Sequence, residues 1–468
     1  MKKIYLIVFA LIISFFANAN KIEPIVSVDK RIELLSIVAR LANYEEYKTN
    51  QFKSYADDVD IYFSKYKNHE LISYFKEIRR KNGIAYDAVI SYAIRIEFSD
   101  NNLIKLFDVK NIATRWSNEN LRKTTELLND FYKVTNFEDF FANNSEIYRI
   151  AEKNMNKAIG QIDYNWFNDF YGNVSTEKYI IVPAMLIGYS NYGGNTVNGK
   201  DKILYSVVGT STVDKNDKPV YLSELVESLV IHEFTHSFMN PLIDASFNLL
   251  ENQIKDLYIL SKKTFKQQAY GDIYPIAYES FVRAGVIQYY IEKGETDLQI
   301  KMRIRKENLN GFYLTSSILN SFKKLRSNRM LVEYIPELIE NFNGENPKQL
   351  KRDFKKLKKE RCWIVSSTIG NGDMNVDPSI DSVTLTFNTS LDLWCRGIGH
   401  KNDTKEVFDS SRRGYFNTET GLEYTLPIKL EPNKEYTISF FSFKSSNGGK
   451  MKGKYKLNFT TGGETKKN

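Results

Sequence analysis

Cysteine and histidine are both scarce in this chain. Its 468 residues include two cysteines and four histidines, namely His69, His232, His236 and His400. Two cysteines exclude a disulfide-dense scaffold and a metal cluster held by cysteine thiolates. Because histidine is so rare here, two histidines at the spacing of metal ligands are informative.

Long hydrophobic runs are absent after the first 20 residues. The basic pair Lys2-Lys3 precedes an apolar run at 4–16 and a small-x-small sequence at 17–19, which is typical of a secretory signal peptide (residues 1–19) cut after Ala19. A membrane anchor is the alternative, but the run is shorter than the roughly 20 residues that span a bilayer. We therefore expect an exported protein, whether periplasmic, surface-bound or secreted, with no transmembrane span.

Neither sign of charge is in large excess. The net charge is +8, with a pI of about 8.9, which is too little to indicate a nucleic-acid partner. Much of the excess lies in a predicted basic linker helix at 346–361. A polyanion-binding helix is the alternative there, and a solvated linker is favoured. A hydrophobic content of 42% and a mean hydropathy of −0.41 exclude a disordered or polytopic membrane protein.

Length and periodicity predict a multidomain α+β protein. Apolar residues recur at helical spacing through 30–156. Residues 157–345 combine further helices with a small sheet, whose strands are predicted at 179–182 and 203–208. The intervening 191–195 segment is expected to be a turn or an irregular edge.

The C-terminal region changes to period-two alternation. Residues 362–463 are therefore expected to form a β-sandwich, with the clearest strands at 382–387, 436–440 and 455–461. Both cysteines, Cys362 and Cys395, lie in this region. In an exported protein they can pair, and they can equally remain two buried free thiols.

One turn of a predicted helix carries the residues of a catalytic metal site. The sequence HEFTH at 232–236 has the form HExxH and lies in a predicted helix at 223–239, which the Asn-Pro pair at 240–241 is expected to end. His232 and His236 share a helix face and can bind one zinc ion. Glu233 is then placed to take a proton from a zinc-bound water. The alternative is two unrelated helix histidines.

A third protein ligand has to come from elsewhere, since catalytic zinc sites use three. Glu279 is the best candidate, because it lies in an apolar segment and a buried carboxylate needs a partner. An ion pair with Arg283, one turn further on, is the alternative role for Glu279, and metal ligation is favoured. Asp272 is the second candidate ligand, and His400 is a poor one.

This set of residues resembles the gluzincin class of zinc metallopeptidases, which carry HExxH on one helix and a glutamate ligand on a following helix. The resemblance implies a mainly helical, zincin-like domain over 30–345, with Zn²⁺ held by His232, His236 and Glu279 and with Glu233 as general base. Arg283 departs from the pattern, because some gluzincins have an aspartate there. The chain also resembles a group of uncharacterised exported bacterial proteins with HExxH and Glu-x-x-x-Arg-Ala.

The C-terminal region resembles bacterial Ig-like domains. The resemblance rests on four phrases, GDMNVDP at 372–378, TLTF at 384–387, LEPNKEY at 430–436 and FTT at 459–461. It implies an Ig-like β-sandwich over 362–463, able to bind a cell-surface or extracellular ligand.

The gluzincin resemblance implies hydrolysis of peptide bonds in a protein or peptide substrate. Tyr274 and Tyr278 are candidate oxyanion donors, although in a chain this rich in tyrosine a core aromatic role is favoured for both. An edge strand to which an extended peptide can add is expected at Tyr192, Gly193, Gly194 and Asn195. No Gly-x-Met-Glu-Asn element of the aminopeptidase type is present, which favours an endopeptidase.

Two other classes of function stay open. The chain could be a non-catalytic surface or adhesion protein with a structural or vestigial metal site, although an intact Glu233 argues against this. It could also be a zinc hydrolase that acts on a non-peptide amide.

Overall fold

A computed structural model describes residues 22–99, 103–172, 177–199, 201–342, 345–400, 407–408 and 412–463. The predicted signal peptide, residues 1–19, lies outside these described residues. The described residues form two compact units, one comprising those up to 245 together with 328–335, and the other comprising 246–327 together with those from 336 onward. Helices and strands mix in an α+β arrangement, with most strands in the C-terminal region.

The first unit begins with a largely helical region, as predicted. Its helices are α1 (Lys30–Leu41), α2 (Lys53–Phe63), α3 (Glu70–Asn82), α4 (Asp87–Ala93), α5 (Asn118–Val134), α6 (Phe137–Asn143), α7 (Ser145–Ala158) and α8 (Asn165–Tyr171). The caps of α3 explain two residues of its sequence. His69 accepts a hydrogen bond from the Leu71 amide at the N-terminus, and Gly83 ends the helix at φ +67°, where a side chain would be strained. His69 is thus a helix-start residue.

A four-stranded sheet in the first unit supports the HExxH helix. Its order is β1-β4-β6-β5, with β1 (Ile25–Val26), β4 (Glu177–Ala184), β5 (Asn191–Asn198) and β6 (Asp201–Gly209), and a separate two-stranded pair joins β2 (Ile96–Phe98) to β3 (Ile104–Leu106). β4 runs parallel to β6, whereas β5 runs antiparallel to β6 and forms the edge. The 191–195 segment lies at the edge of the sheet, as expected, but it is neither a turn nor irregular, because a continuous register from Asn191 to Asn198 makes it a regular strand.

Helix α9 (Ser223–Asp244) packs on β5 and β6. The expected end at the Asn-Pro pair was wrong, because Pro241 lies inside the helix. Proline cannot donate to the carbonyl four residues earlier, but the last turn still closes through the Ala245 amide and the Pro241 carbonyl, 3.2 Å apart. One missing hydrogen bond near a helix end is therefore tolerated.

The second unit joins helices to two sheets. The remaining helices are α10 (Phe247–Gln267), α11 (Ile273–Glu292), α12 (Asp297–Leu309), α13 (Thr315–Leu325), α14 (Leu331–Phe342) and α15 (Pro347–Leu357). Four strands form one sheet in the order β10-β13-β14-β8, from Gly397–His400, Glu435–Phe441, Tyr455–Thr461 and Asp373–Val376. The other sheet has the order β11-β12-β9-β7, from Tyr415–Phe416, Glu423–Pro427, Ser382–Phe387 and Ile364–Ser367.

The two C-terminal sheets share one hydrophobic core. Inward residues of β9 and β12 and those of β13 and β14 belong to the same buried cluster, which includes Leu385, Tyr424, Ile438 and Leu457. The period-two alternation predicted three of these strands, since alternate residues of a half-buried strand face the core. Cys362 and Cys395 are both free thiols.

Among the helices of the described residues, none has an apolar stretch long enough to cross a membrane.

A buried carboxylate connects α1 to the sheet of the first unit. Glu33 is fully buried, accepts the Met185 amide at 3.0 Å and accepts the Tyr55 hydroxyl at 2.9 Å. The Tyr55 hydroxyl also lies 2.7 Å from that of Tyr148. Burial raises the pKa of Glu33 from 4.5 to about 7, although its hydrogen bonds act in the opposite direction.

This network predicts a loss of stability as the pH rises. Between pH 4.5 and about 7 the folded chain holds the Glu33 proton more tightly than the unfolded chain, so the free energy of unfolding falls with pH. The fall amounts to about 1.4 kcal/mol per pH unit at most. Glu33→Gln should remove this slope, because an amide can accept from Met185 and donate to Tyr55 without ionising. Urea denaturation of both proteins from pH 4.5 to 8 measures the difference, and an equal slope in the variant would contradict the assignment.

Candidate metal centre

Helix α9 places two imidazoles against each other. His232 and His236 are partly buried, and their Nε2 atoms lie 3.1 Å apart with the rings at 80°. Two nitrogens bound to one tetrahedral zinc ion at 2.0–2.1 Å would lie about 3.3 Å apart. The two side chains therefore already point their Nε2 atoms at a common position, as the i, i+4 spacing predicted.

Asn240 fixes the orientation of one imidazole. Its Oδ1 lies 3.1 Å from Nδ1 of His236, one turn further along α9. Because an amide oxygen accepts, this contact suits the tautomer of His236 with the proton on Nδ1 and the lone pair on Nε2. Such outer hydrogen bonds are the usual support of a metal-binding histidine. The sequence contained the signal for Asn240, since it lies four residues after His236.

Glu233 is buried against the edge strand. Its side chain belongs to a residue that is only 8% exposed. A Cβ atom at Gly193 would lie 2.8 Å from the Glu233 carbonyl oxygen and 3.0 Å from its Oε2. Strand β5 can approach the helix this closely only because residue 193 has no side chain. Gly194 faces the other way, where a Cβ would meet the terminal methyl of Ile94.

Glu279 also takes part in a buried charged cluster formed by residues of α11 and α12. Its Oε2 lies 2.9 Å from Nε of Arg283, whose Nη1 lies 2.6 Å from Oε2 of Glu307. Nη2 of Arg283 lies 3.3 Å from the Tyr270 hydroxyl, and the guanidinium carbon lies 4.4 Å from the centre of the Phe312 ring. Burial alone would lower the pKa of Arg283, but the carboxylates of Glu279 and Glu307 outweigh it and hold that pKa above its ordinary value.

The predicted ligands form one group. Each of His232, His236 and Glu279 offers a ligand atom, and these atoms all lie within 4.8 Å of one another. Glu279 pairs with Arg283 and also belongs to this group, so the ion pair does not exclude the predicted ligation. A carboxylate has two oxygens with about four lone-pair sites, so one partner does not exclude another.

Other predicted residues lie in different settings. Asp272 is exposed and caps α11, accepting from the amides of Ile273 and Tyr274. Tyr274 is 48% exposed and stacks on Phe247 with ring centres 3.9 Å apart. Tyr278 is partly buried. The side chain of His400 lies outside the described residues.

The predicted substrate edge contains Tyr192, Gly193, Gly194 and Asn195, all of which lie in β5. Sequence reasoning missed the contact between Gly193 and Glu233, because the two residues are 40 positions apart. It also missed Glu307, which α12 supplies to Arg283 without any motif.

Comparisons with known proteins give one family and some weak structural similarities. Residues 24–341 match the family model described as Domain of unknown function (DUF4932). No curated protein matches the chain.

Three solved structures are similar at low identity. CopC from Methylosinus trichosporium OB3b is 18% identical with a TM-score of 0.18, over 23% of this chain and all of CopC. Domains 1–6 of the surface layer protein SbsC are 14% identical with a TM-score of 0.17, over 51% of this chain and 33% of that one. The N-terminal part of the bacterial S-layer protein SbsC is 13% identical with a TM-score of 0.15, over 54% and 61%. The family model, in contrast, covers more than half of this chain, and the protein therefore belongs to the DUF4932 family.

Proposed function

We propose that this protein is a zinc-dependent hydrolase that cleaves peptide bonds, with Glu233 as general base. The observation that carries the proposal is the group of His232, His236 and Glu279, with Glu233 in the same helical turn as the histidines. A structural metal site has no use for a base at that position. The buried carboxylate of Glu233 therefore favours catalysis over a vestigial site.

The donor set fits zinc. Two imidazole nitrogens and one carboxylate oxygen are ligands that catalytic zinc sites use, and a fourth position is left for water or substrate. A zinc ion bound there would polarise the substrate carbonyl and lower the pKa of its water to about 7. Cysteine ligation is not needed, in agreement with the scarcity of that residue.

Glu233 has the surroundings of a proton carrier. It lies one residue after His232 and is buried against β5. A carboxylate there can take the proton of the attacking water and deliver it to the leaving amine. His236 cannot do this, since Asn240 holds its Nδ1 proton and its Nε2 is directed to the ligand position.

An extended peptide is the substrate class that the edge strand favours. β5 is an edge strand of its sheet and passes directly beside Glu233. A peptide that pairs with the open edge would be held by main-chain hydrogen bonds and would therefore be recognised with little dependence on sequence. We propose endopeptidase activity on this basis. Tyr278 remains the candidate oxyanion donor, because stacking on Phe247 accounts for Tyr274.

Residues 362–463 are proposed to be an Ig-like module of the exported enzyme. Two four-stranded sheets around one core support a sandwich of this kind. Its ligand would be a surface or extracellular component, and its role is separate from the hydrolytic site.

Replacing Glu233 separates catalysis from metal binding. Glu233→Gln should keep one zinc per chain and lower hydrolysis of unfolded casein by about 10²- to 10⁴-fold, the usual contribution of a general base. Zinc is measured by plasma mass spectrometry and hydrolysis by the release of new amines. Turnover equal to wild type would contradict the role of Glu233. A wild-type chain that holds zinc and cleaves neither proteins nor small amides would favour the non-catalytic alternative.

The adjacent glycines of β5 provide a matched pair of variants. Gly193→Ala should lower kcat by roughly tenfold to a hundredfold, because its methyl group would push the Glu233 carboxylate out of position. Zinc content should not change. Gly194→Ala is the control, since its methyl group meets only a side-chain end that can rotate. Equal kcat values for the two variants would show that the close approach at residue 193 has no catalytic importance.

A further inference from the structure

Some of the outward-facing main-chain groups of β5 are hydrogen-bonded to other parts of the chain. In an antiparallel pair, alternate residues direct both their N–H and C=O groups to the outer side. The Asn195 carbonyl accepts from Nη2 of Arg95 at 2.6 Å, and the Val197 amide donates to Oδ2 of Asp108 at 2.9 Å. These bonds identify the odd-numbered residues as outward-facing. Asn191 and Gly193 are also odd-numbered, and because the register with β6 is unbroken, their main-chain groups face outward too.

Arg95 is built into this edge. The residue is 2% exposed, and its guanidinium binds three other main-chain carbonyls besides that of Asn195. Nε lies 3.1 Å from the Asp108 carbonyl, Nη1 lies 2.9 Å from that of Ser91 and Nη2 lies 2.7 Å from that of Asn111. Such a set of bonds leaves Arg95 little freedom to move away from β5.

Asp108 blocks the part of the β5 edge at Val197, as Arg95 blocks the part at Asn195. Its side chain is 6% exposed, and its Oδ2 lies 3.8 Å from Nη2 of Arg95. The residue has φ +46°, a left-handed conformation that aspartate, asparagine and glycine adopt most readily. The loop that carries Asp108 is thus held against the Val197 end of the strand, far from Gly193 in the register.

We propose that Arg95 and Asp108 limit the length of the peptide segment that β5 can bind. They occupy the outward carbonyl of Asn195 and the outward amide of Val197, and they leave the outward groups of Asn191 and Gly193, next to Glu233, for the substrate. About four substrate residues can pair with the two open positions, and further residues on that side must leave the strand. The inference rests on the proposed function, since it assumes that β5 holds the substrate.

The test uses binding, so that it does not depend on turnover. In the full-length chain with Glu233→Gln, retention of random-sequence acetylated peptide pools of four, six and eight residues is measured by ultrafiltration and mass spectrometry. Retention should not increase beyond four residues. Adding Arg95→Met and Asp108→Gly opens the edge, and eight-residue peptides should then be retained roughly fivefold better, as expected for additional main-chain hydrogen bonds.

The matched control variant keeps the contacts that block the β5 edge. Arg95→Lys with Asp108→Asn preserves a cation for the Asn195 carbonyl and a side-chain acceptor for the Val197 amide, so the length limit should remain. Thermal unfolding checks that each variant folds. If the loss of Arg95 prevents folding, Asp108→Gly alone provides the test, because glycine accepts the positive φ. It should increase retention of eight-residue peptides less strongly and speed hydrogen exchange at the Val197 amide.

Three outcomes would overturn the inference. The parent could retain peptides in increasing amount up to eight residues, the opened variants could behave like the control, or no pool could bind at all. Hydrolysis by the wild-type chain is assayed separately. Cleavage without a length limit would therefore refute the role of Arg95 and Asp108 and leave the proposed function standing. Length-limited binding without cleavage would support that role and contradict the proposed function.

Discussion

The close approach of β5 to helix α9 is the constraint on which the candidate site depends. A residue with any side chain at position 193 would collide with the carbonyl and carboxylate of Glu233. With glycine there, the helix lies directly on the strand, and the carboxylate is buried at a fixed place beside the open sheet edge. Packing thus sets the position of a reactive group, which a flexible loop could not do as precisely.

Electrostatics governs the other part of the site. Glu279 is almost fully buried, and an isolated charge in that position would be costly. Arg283 compensates it and is itself compensated by Glu307, so the cluster has two negative groups around one positive group. A divalent cation near Glu279 would be favoured by this excess of negative charge. The arginine that departs from the gluzincin pattern therefore holds the carboxylate in place, and its own charge is offset by Glu307.

Sequence reasoning predicted the features that local spacing determines. HExxH on a helix, the strands around 179–182 and 203–208, and the C-terminal alternation all depend on residues within one element, and the elements are present. It failed where contacts between distant parts of the chain determine the local structure. Segment 191–195 forms a strand because β6 supplies its hydrogen-bonding partner. Helix α9 continues beyond Pro241 because the Ala245 amide and the Pro241 carbonyl still close its last turn. The partners Gly193–Glu233 and Arg283–Glu307 are distant in sequence, and no motif connects them.

The central claim is a metal site with Glu279 as its third ligand, and zinc binding tests it most directly. Zinc content and affinity are to be measured for the purified wild-type chain, for Glu279→Gln and for Asp272→Asn as the matched control. We expect one zinc per chain for wild type and for Asp272→Asn. Glu279→Gln should bind zinc at least roughly a hundredfold more weakly, since loss of an outer partner alone costs about 10- to 100-fold. A wild-type chain that takes up no zinc, or equal affinities for wild type and Glu279→Gln, would contradict it.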